Sequence, residues 1–171
     1  MFVGIPDEVE PRVAVLEEIF EEPLTQPNPG EPQSISPFMW PLHEWMNRPE
    51  ARRACIPAST GIMDARSIAR HYAALLPGGV DGVELLPPER IRLATQFEKG
   101  IPHAGGYLFA GDPELLGTVE LPAFGHGGYG GSNAFADPKH RFAVGLTKNR
   151  YAKQGAQALI IAELKSALGS E

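Results

Sequence analysis

The chain has 171 residues, enough for one domain of ordinary size, and its 43% hydrophobic and 21% charged residues are a normal soluble globular mix. The net charge is −6 and no basic stripe is present, which excludes nucleic acid as a partner. No apolar run approaches the length of a bilayer span, and a single cysteine, Cys55, excludes an internal disulfide.

The charge is uneven: residues 1–50 hold ten acids against two bases, and residues 51–171 hold eleven against thirteen. The acidic excess reads as a solvated surface. The start, MFVGIPDEVEP, lacks the basic and apolar regions of a signal peptide. Either the chain is not exported, with a cytoplasmic or organellar location favoured, or its true N-terminus lies upstream.

In chain order, Phe2–Ile5 reads as a short strand. Pro11–Phe20 reads as a short helix, with Val13, Leu16, Ile19 and Phe20 at helical spacing. Glu21–Pro37 holds five prolines and a glycine, and is expected to be a loop. A short amphipathic helix is expected at Leu42–Met46, and another after Pro49, a residue tolerated at a first helical position. The strongest helix is Asp64–Leu76, with Ala65, Ile68, Ala69, Tyr72, Ala73 and Leu76 on one face. Asp64 is placed to cap its first turn, and Pro77-Gly78-Gly79 ends it. A further short helix begins near Pro88.

Val119–Gly128, Gly131–Ala136 and Phe142–Thr147 read as three strands, with Asp137-Pro138-Lys139-His140 as the turn between the last two. Ala152–Leu168 reads as a closing helix with an apolar stripe of Ala156, Leu159, Ile160, Leu164, Ala167 and Leu168. This order gives an α+β fold: an antiparallel sheet flanked by helices, with the last helix on one sheet face. The segments are an acidic, loop-dominated 1–50, a helical 56–100, and a 119–168 of three strands and a closing helix.

Gly125-His126-Gly127-Gly128-Tyr129-Gly130 matches the spacing of a dinucleotide fingerprint, but that mechanism needs a helix after the loop. GGSNAFADP reads instead as a second strand. Two readings stay open: a tight strand corner with a surface histidine, or one wall of a cleft in which missing Cβ atoms let a substrate approach.

The stretch FGHGGYGGSNAFADPKHRFAVGLTKNR, Phe124 to Arg150, resembles the end of the serine β-lactamase-related hydrolases. That family holds class C β-lactamases, DD-peptidases and esterase-like members. His126-Gly127-Gly128 matches its Lys/His-x-Gly motif in the His form. IPASTGIMDARSIARHYAALLPGGVDGVELLPPERIRLAT, Ile56 to Thr95, resembles the helical segment before that strand. FVGIP and NRPEARRACIPAS are similar to plant and algal members, some of which carry a kinase-like domain on the same chain.

The resemblance implies a small-molecule ester or amide substrate, no cofactor, and an acyl-enzyme made by a serine that a lysine and a tyrosine serve. Carried over, His126 supports the tyrosine and substrate, Gly127 and Gly128 leave room for substrate, and the backbone N–H of Tyr129 is an oxyanion donor.

The family's Ser-x-x-Lys is absent. Ser34, Ser36, Ser59, Ser67, Ser132 and Ser166 are followed at three residues by Pro37, Met39, Ile62, Arg70, Phe135 and Gly169. Arg70 stays protonated and cannot act as the base. Tyr-x-Asn or Tyr-x-Ser is absent too. The expectation is the C-terminal part of a serine hydrolase, inactive alone. The alternative is a non-catalytic binding or regulatory domain of the same fold. As a fragment it is expected to expose a sheet edge and self-associate.

Other residues read as structural. His43, His71, His103, His126 and His140 lack paired metal spacing. His140 is expected to be solvated in its turn, Arg66 and Arg70 to pair with carboxylates, and Cys55 to be a buried or incidental thiol. Phe38, Met39, Trp40 and Trp45 are expected to pack the short helix rather than line a substrate mouth.

Overall fold

The computed structural model describes residues 1–19, 36–95, 123–152 and 156–168. In chain order the regular elements are β1 (Phe2–Val3), β2 (Glu17–Glu18), α1 (Leu42–Met46), α2 (Pro49–Arg53), β3 (Gly61–Ile62), α3 (Ala65–Ala73), α4 (Pro88–Ala94), β4 (Phe124–Gly127), β5 (Asn133–Asp137), β6 (Phe142–Leu146), β7 (Arg150–Tyr151) and α5 (Ala156–Leu168). The fold is α+β, as its segment order implies. It divides into two compact units, Met1–Met63 with Lys148–Lys153, and Asp64–Thr147 with Gln154–Glu171.

In the first unit β1 pairs with β3 antiparallel and β2 with β7 parallel. The helix expected over Pro11–Phe20 does not form. A 3-10 turn covers Asp7–Arg12, with Pro11 inside it, and the chain then extends into β2; residue 20 lies outside the described residues. Val13 and Val15 are β-branched, and the strand's backbone finds partners that a helix would take away. Glu17 and Ile19 donate to the carbonyls of Asn149 and Tyr151, and Asn149 Nδ2 donates to the Val15 carbonyl.

Asn47 completes that clamp. Its Oδ1 accepts from Leu16 N at 2.9 Å and Arg52 Nη2 at 3.1 Å, and its Nδ2 donates to the Leu16 carbonyl at 2.9 Å. Arg52 is buried and also pairs with Glu10. Asn47→Ala removes three hydrogen bonds at once and strips a buried guanidinium of a partner. A loss of about 1–3 kcal/mol is expected, read from urea unfolding. No measurable loss would show that this segment is held by something other than Asn47. Beside the clamp, burial first and then the Glu18 carboxylate push the Tyr151 hydroxyl above its ordinary pKa.

The two proline-marked short helices form where expected, but of Phe38, Met39, Trp40 and Trp45, expected to pack α1, none is fully buried. Phe38 is 74% exposed and meets Trp45 edge-on, while Leu42 is the residue α1 buries. A helix of five residues has one narrow face to bury. Cys55 is exposed rather than buried. The loop expected at Glu21–Pro37 falls mostly outside the described residues.

The second unit is built on the antiparallel sheet β4-β5-β6, with β5 in the centre. Its register runs Phe124↔Ala136, His126↔Ala134, Phe135↔Val144 and Ala134↔Gly145. Side chains alternate between two faces. Phe124, Ala134 and Ala136 pack with Tyr72, Leu75, Leu76 and Ile91, while Phe135 packs with Ala123 and Ile161 of α5. Every position of β5 is buried, as a central strand covered on both faces must be.

α3 lies directly on β6, because Gly145 lets it. A Cβ at Gly145 would strike the Ala65 carbonyl and crowd Ile68 Cγ2 at 2.6 Å. Asp64 caps α3 as expected, accepting from Ser67 N at 2.6 Å, and that bond holds its carboxyl below the ordinary value. The helix ends at Ala73 and turns through to Leu76 rather than running to it.

Burial lowers the pKa of His71 on α3 below 6.5. The unfolded chain therefore takes up this proton first as pH falls. Stability from this site is complete above 6.5 and is lost as pH falls through that value towards the folded one. His71→Gln is expected to flatten the fall in urea midpoint between pH 7.5 and 5. An unchanged slope would assign the acid sensitivity elsewhere.

α5 corrects the expected apolar stripe. Ile161 is 6% exposed and faces the sheet with Leu164 and Leu168, whereas Leu159 is 72% exposed and Ala167 is exposed. Ala152 is not helical, and residues 153–155 lie outside the described residues.

Candidate active site

The Gly125–Gly131 run forms the end of a tight hairpin. β4 carries Gly125, His126 and Gly127, and the chain turns at Tyr129-Gly130-Gly131 into β5. Gly128 N donates to the Ser132 carbonyl at 2.7 Å, and Gly131 N donates to the Gly128 carbonyl at 2.9 Å. Gly131 has φ +88°, the left-handed conformation that closes a three-residue hairpin loop. A strand follows the loop, so the dinucleotide reading fails: no helix N-terminus faces a phosphate there.

Glycine at Gly125 has a packing reason. It lies opposite Phe135, and a Cβ would strike the Ala134 carbonyl and press to 2.5 Å from Phe135 Cα. Gly127 and Gly128 differ. Among the described residues a Cβ at Gly127 would meet only Asn133 Nδ2 at 3.6 Å, and one at Gly128 only Ser132, at 3.5 Å to its carbonyl oxygen and 3.8 Å to its Cβ. Those are ordinary contacts, and Gly128 is exposed.

His126 is exposed on β4, opposite Ala134 on the face that α3 covers further along the sheet. Its Nδ1–H donates to the Gly127 carbonyl, which assigns the proton to Nδ1 in the neutral ring. Tyr129 is half-buried at the tip of the turn. The structure therefore brings His126, Gly127, Gly128 and Tyr129 to one end of β4, which among the described residues is an outer strand.

It does not turn Ser67 into a nucleophile. The backbone of Ser67 belongs to the α3 cap, and Arg70 pairs with Asp81 at 2.6 Å. That pairing is the structural role expected for Arg70.

Two features were not anticipated. Asn133, directly opposite Gly127, is 8% exposed, and its Oδ1 has no partner among the described residues. His140 is not solvated. Its N–H donates to Asp137 Oδ1 at 3.0 Å and its Nδ1 to Oδ2 at 2.8 Å, with Asp137 fully buried. The Asp-Pro pair signals the turn, but only the tertiary structure shows that the carboxylate is buried and draws the histidine inward.

Among the described residues no group of three or more His, Cys, Asp or Glu stands close enough to hold a metal ion, and no helix is long and apolar enough to cross a membrane.

No family model matches the chain. It is 35% identical over 104 residues to the esterase/β-lactamase LipL of Mycobacterium tuberculosis (strain ATCC 25618 / H37Rv), a match covering 56% of this chain and 24% of that protein. Its fold superposes on EstA from Arthrobacter nitroguajacolicus Rue61a with a TM-score of 0.67 at 18% identity, covering 98% of this chain and 49% of that one. The chain thus spans about a quarter of the curated relative and half of the solved structure. The chain resembles an esterase/β-lactamase in sequence over part of its length, and shares the fold of EstA over nearly all of it.

Proposed function

We propose that these 171 residues are part of a serine hydrolase of β-lactamase type, with β4 as the wall facing a nucleophile carried elsewhere in a longer polypeptide. The observation that carries this reading is the pair Gly127-Gly128. The fold accounts for Gly125 by close packing and for Gly131 by its φ, but among the described residues a Cβ at Gly127 or Gly128 meets its neighbours at ordinary distances. Bare backbone beside an exposed histidine, with no packing need for it among the described residues, is what a substrate cleft uses.

In this reading a serine oxygen bonds to the substrate carbonyl carbon, and the alcohol or amine leaves with a proton. Water then cleaves the acyl-enzyme to release the acid and restore the serine. His126 supports the general base and the substrate. The Tyr129 N–H stabilises the oxyanion, a donor worth about 2.7–4 kcal/mol in such sites. Gly127 and Gly128 admit the acyl group.

The missing Ser-x-x-Lys and the partial coverage of LipL and EstA support placing the nucleophile outside residues 1–171. The same absence favours one second reading, a non-catalytic lactamase-like binding or regulatory domain.

The test uses nitrophenyl esters and a fluorophosphonate probe. Residues 1–171 alone are expected to hydrolyse nothing and take no adduct. The longer polypeptide is expected to hydrolyse esters and lose that activity with one adduct per chain. No turnover and no adduct on the longer polypeptide would leave the binding-domain reading.

A further inference from the structure

We infer that Asn133 sets the acyl specificity of this site, by hydrogen-bonding a hydroxyl that enters beside Gly127. The inference rests on the proposed hydrolase reading and narrows its substrates to acyl groups that carry a distal hydroxyl.

Asn133 stands on the central strand, between Gly127 on β4 and Leu146 on β6. Successive side chains alternate between faces. Asn133, Phe135 and Asp137 of β5 therefore share one face, the one on which Phe135 packs with Ala123 and Ile161. Two polar side chains lie on this otherwise apolar face. Asp137 is fully buried and is met by His140. Asn133 is 8% exposed, its Oδ1 is enclosed, and among the described residues nothing hydrogen-bonds that oxygen. A buried polar group without a partner costs stability, and an apolar side chain in its place would avoid that cost. The packing of the sheet gives no reason for a carboxamide there.

The space left by Gly127 gives one. A Cβ placed at Gly127 would stand 3.6 Å from Asn133 Nδ2. The Asn133 carboxamide thus borders a slot that admits a heavy atom, on the strand proposed to receive the acyl group. Gly127 lies two residues before Tyr129, about 6–7 Å along the strand. The part of the acyl chain that reaches the slot is therefore distal to the reacting carbonyl. Rotation about the Asn133 Cβ–Cγ bond turns either the N–H or the C=O end towards the slot. A hydroxyl both donates and accepts, so it serves either orientation. An ammonium does not suit, because a neutral carboxamide gives a buried cation no counter-charge. A methyl in the same place leaves the carboxamide unpaired.

The test compares nitrophenyl 6-hydroxyhexanoate with nitrophenyl heptanoate, which carries a methyl where the first has its hydroxyl. Both are turned over by the longer polypeptide, as wild type, Asn133→Ala and Asn133→Leu. Each variant is expected to lower the ratio of hydroxyester to heptanoate kcat/KM by about tenfold. Asn133→Leu is also expected to unfold at no lower urea than the wild type, since it removes a buried unpartnered group. A ratio unchanged in both variants, with heptanoate turnover intact, overturns this inference alone. So does a urea midpoint of Asn133→Leu well below that of the wild type, which would give the carboxamide to the fold. Absence of turnover of either ester by the wild type overturns the inference together with the proposed function.

Discussion

Phe135→Ala is expected to lower the unfolding free energy by about 3–5 kcal/mol, the cost of emptying a large buried aromatic site. Phe135 is 1% exposed on the central strand. Its ring meets Phe142 edge-on at 6.2 Å, and it packs with Ala123 and Ile161, flanked by Val144, Leu164 and Leu168. Sheet and α5 both close on this one side chain, so neither can collapse into the space without losing the other. Folded domains hold about 5–15 kcal/mol in all, so the variant should be partly unfolded at 37 °C. Urea unfolding of the variant beside Leu159→Ala makes the comparison sharp. Leu159 is 72% exposed, and its loss should fall within about 0.5 kcal/mol of zero. A larger cost at Leu159 than at Phe135 would mean that α5 presents its other face to the sheet.

The second large effect is on activity. In the longer polypeptide Gly128→Val is expected to reduce ester kcat/KM by about 10²-fold or more, as displacing substrate by about 1 Å from the attacking group does. The fold is expected to survive, because a Cβ at Gly128 meets Ser132 at ordinary distances. Gly131→Ala separates strain from chemistry. Its φ of +88° makes a side chain cost about 1–2 kcal/mol of stability without filling the cleft. Tyr129→Phe should change kcat/KM little, since a backbone N–H survives the substitution. Equal losses of stability and activity at Gly128 would return the glycine pair to the fold.

Much of the second unit was legible because its signals are local. Asp64 before an apolar helical face, Pro88 at a first helical position, and the Asp137-Pro138 turn each act through groups a few residues away. The three strands followed from the punctuation around them. The helix expected over Pro11–Phe20 was not legible as β2, because what makes it a strand lies 31 residues away at Asn47 and 134 away at Asn149. The inward face of α5 was legible only in part, at Leu164 and Leu168 but not at Ile161. Apolar residues at Leu159, Ile160 and Ile161 surround the helix, so spacing alone does not say which one points to Phe135.

The site divides in the same way. His126, Gly127, Gly128 and Tyr129 were found because they are contiguous. Asn133 opposite Gly127, and the buried pair of Asp137 and His140, depend on strand register and burial that no spacing rule reads.

The most direct measurement is peptide mapping of the fluorophosphonate adduct on the longer polypeptide that the proposal calls for. The account predicts one adduct, on a serine followed three residues later by lysine and lying outside residues 1–171. An adduct on a serine within these residues, or none on a chain that carries such a motif, would contradict it.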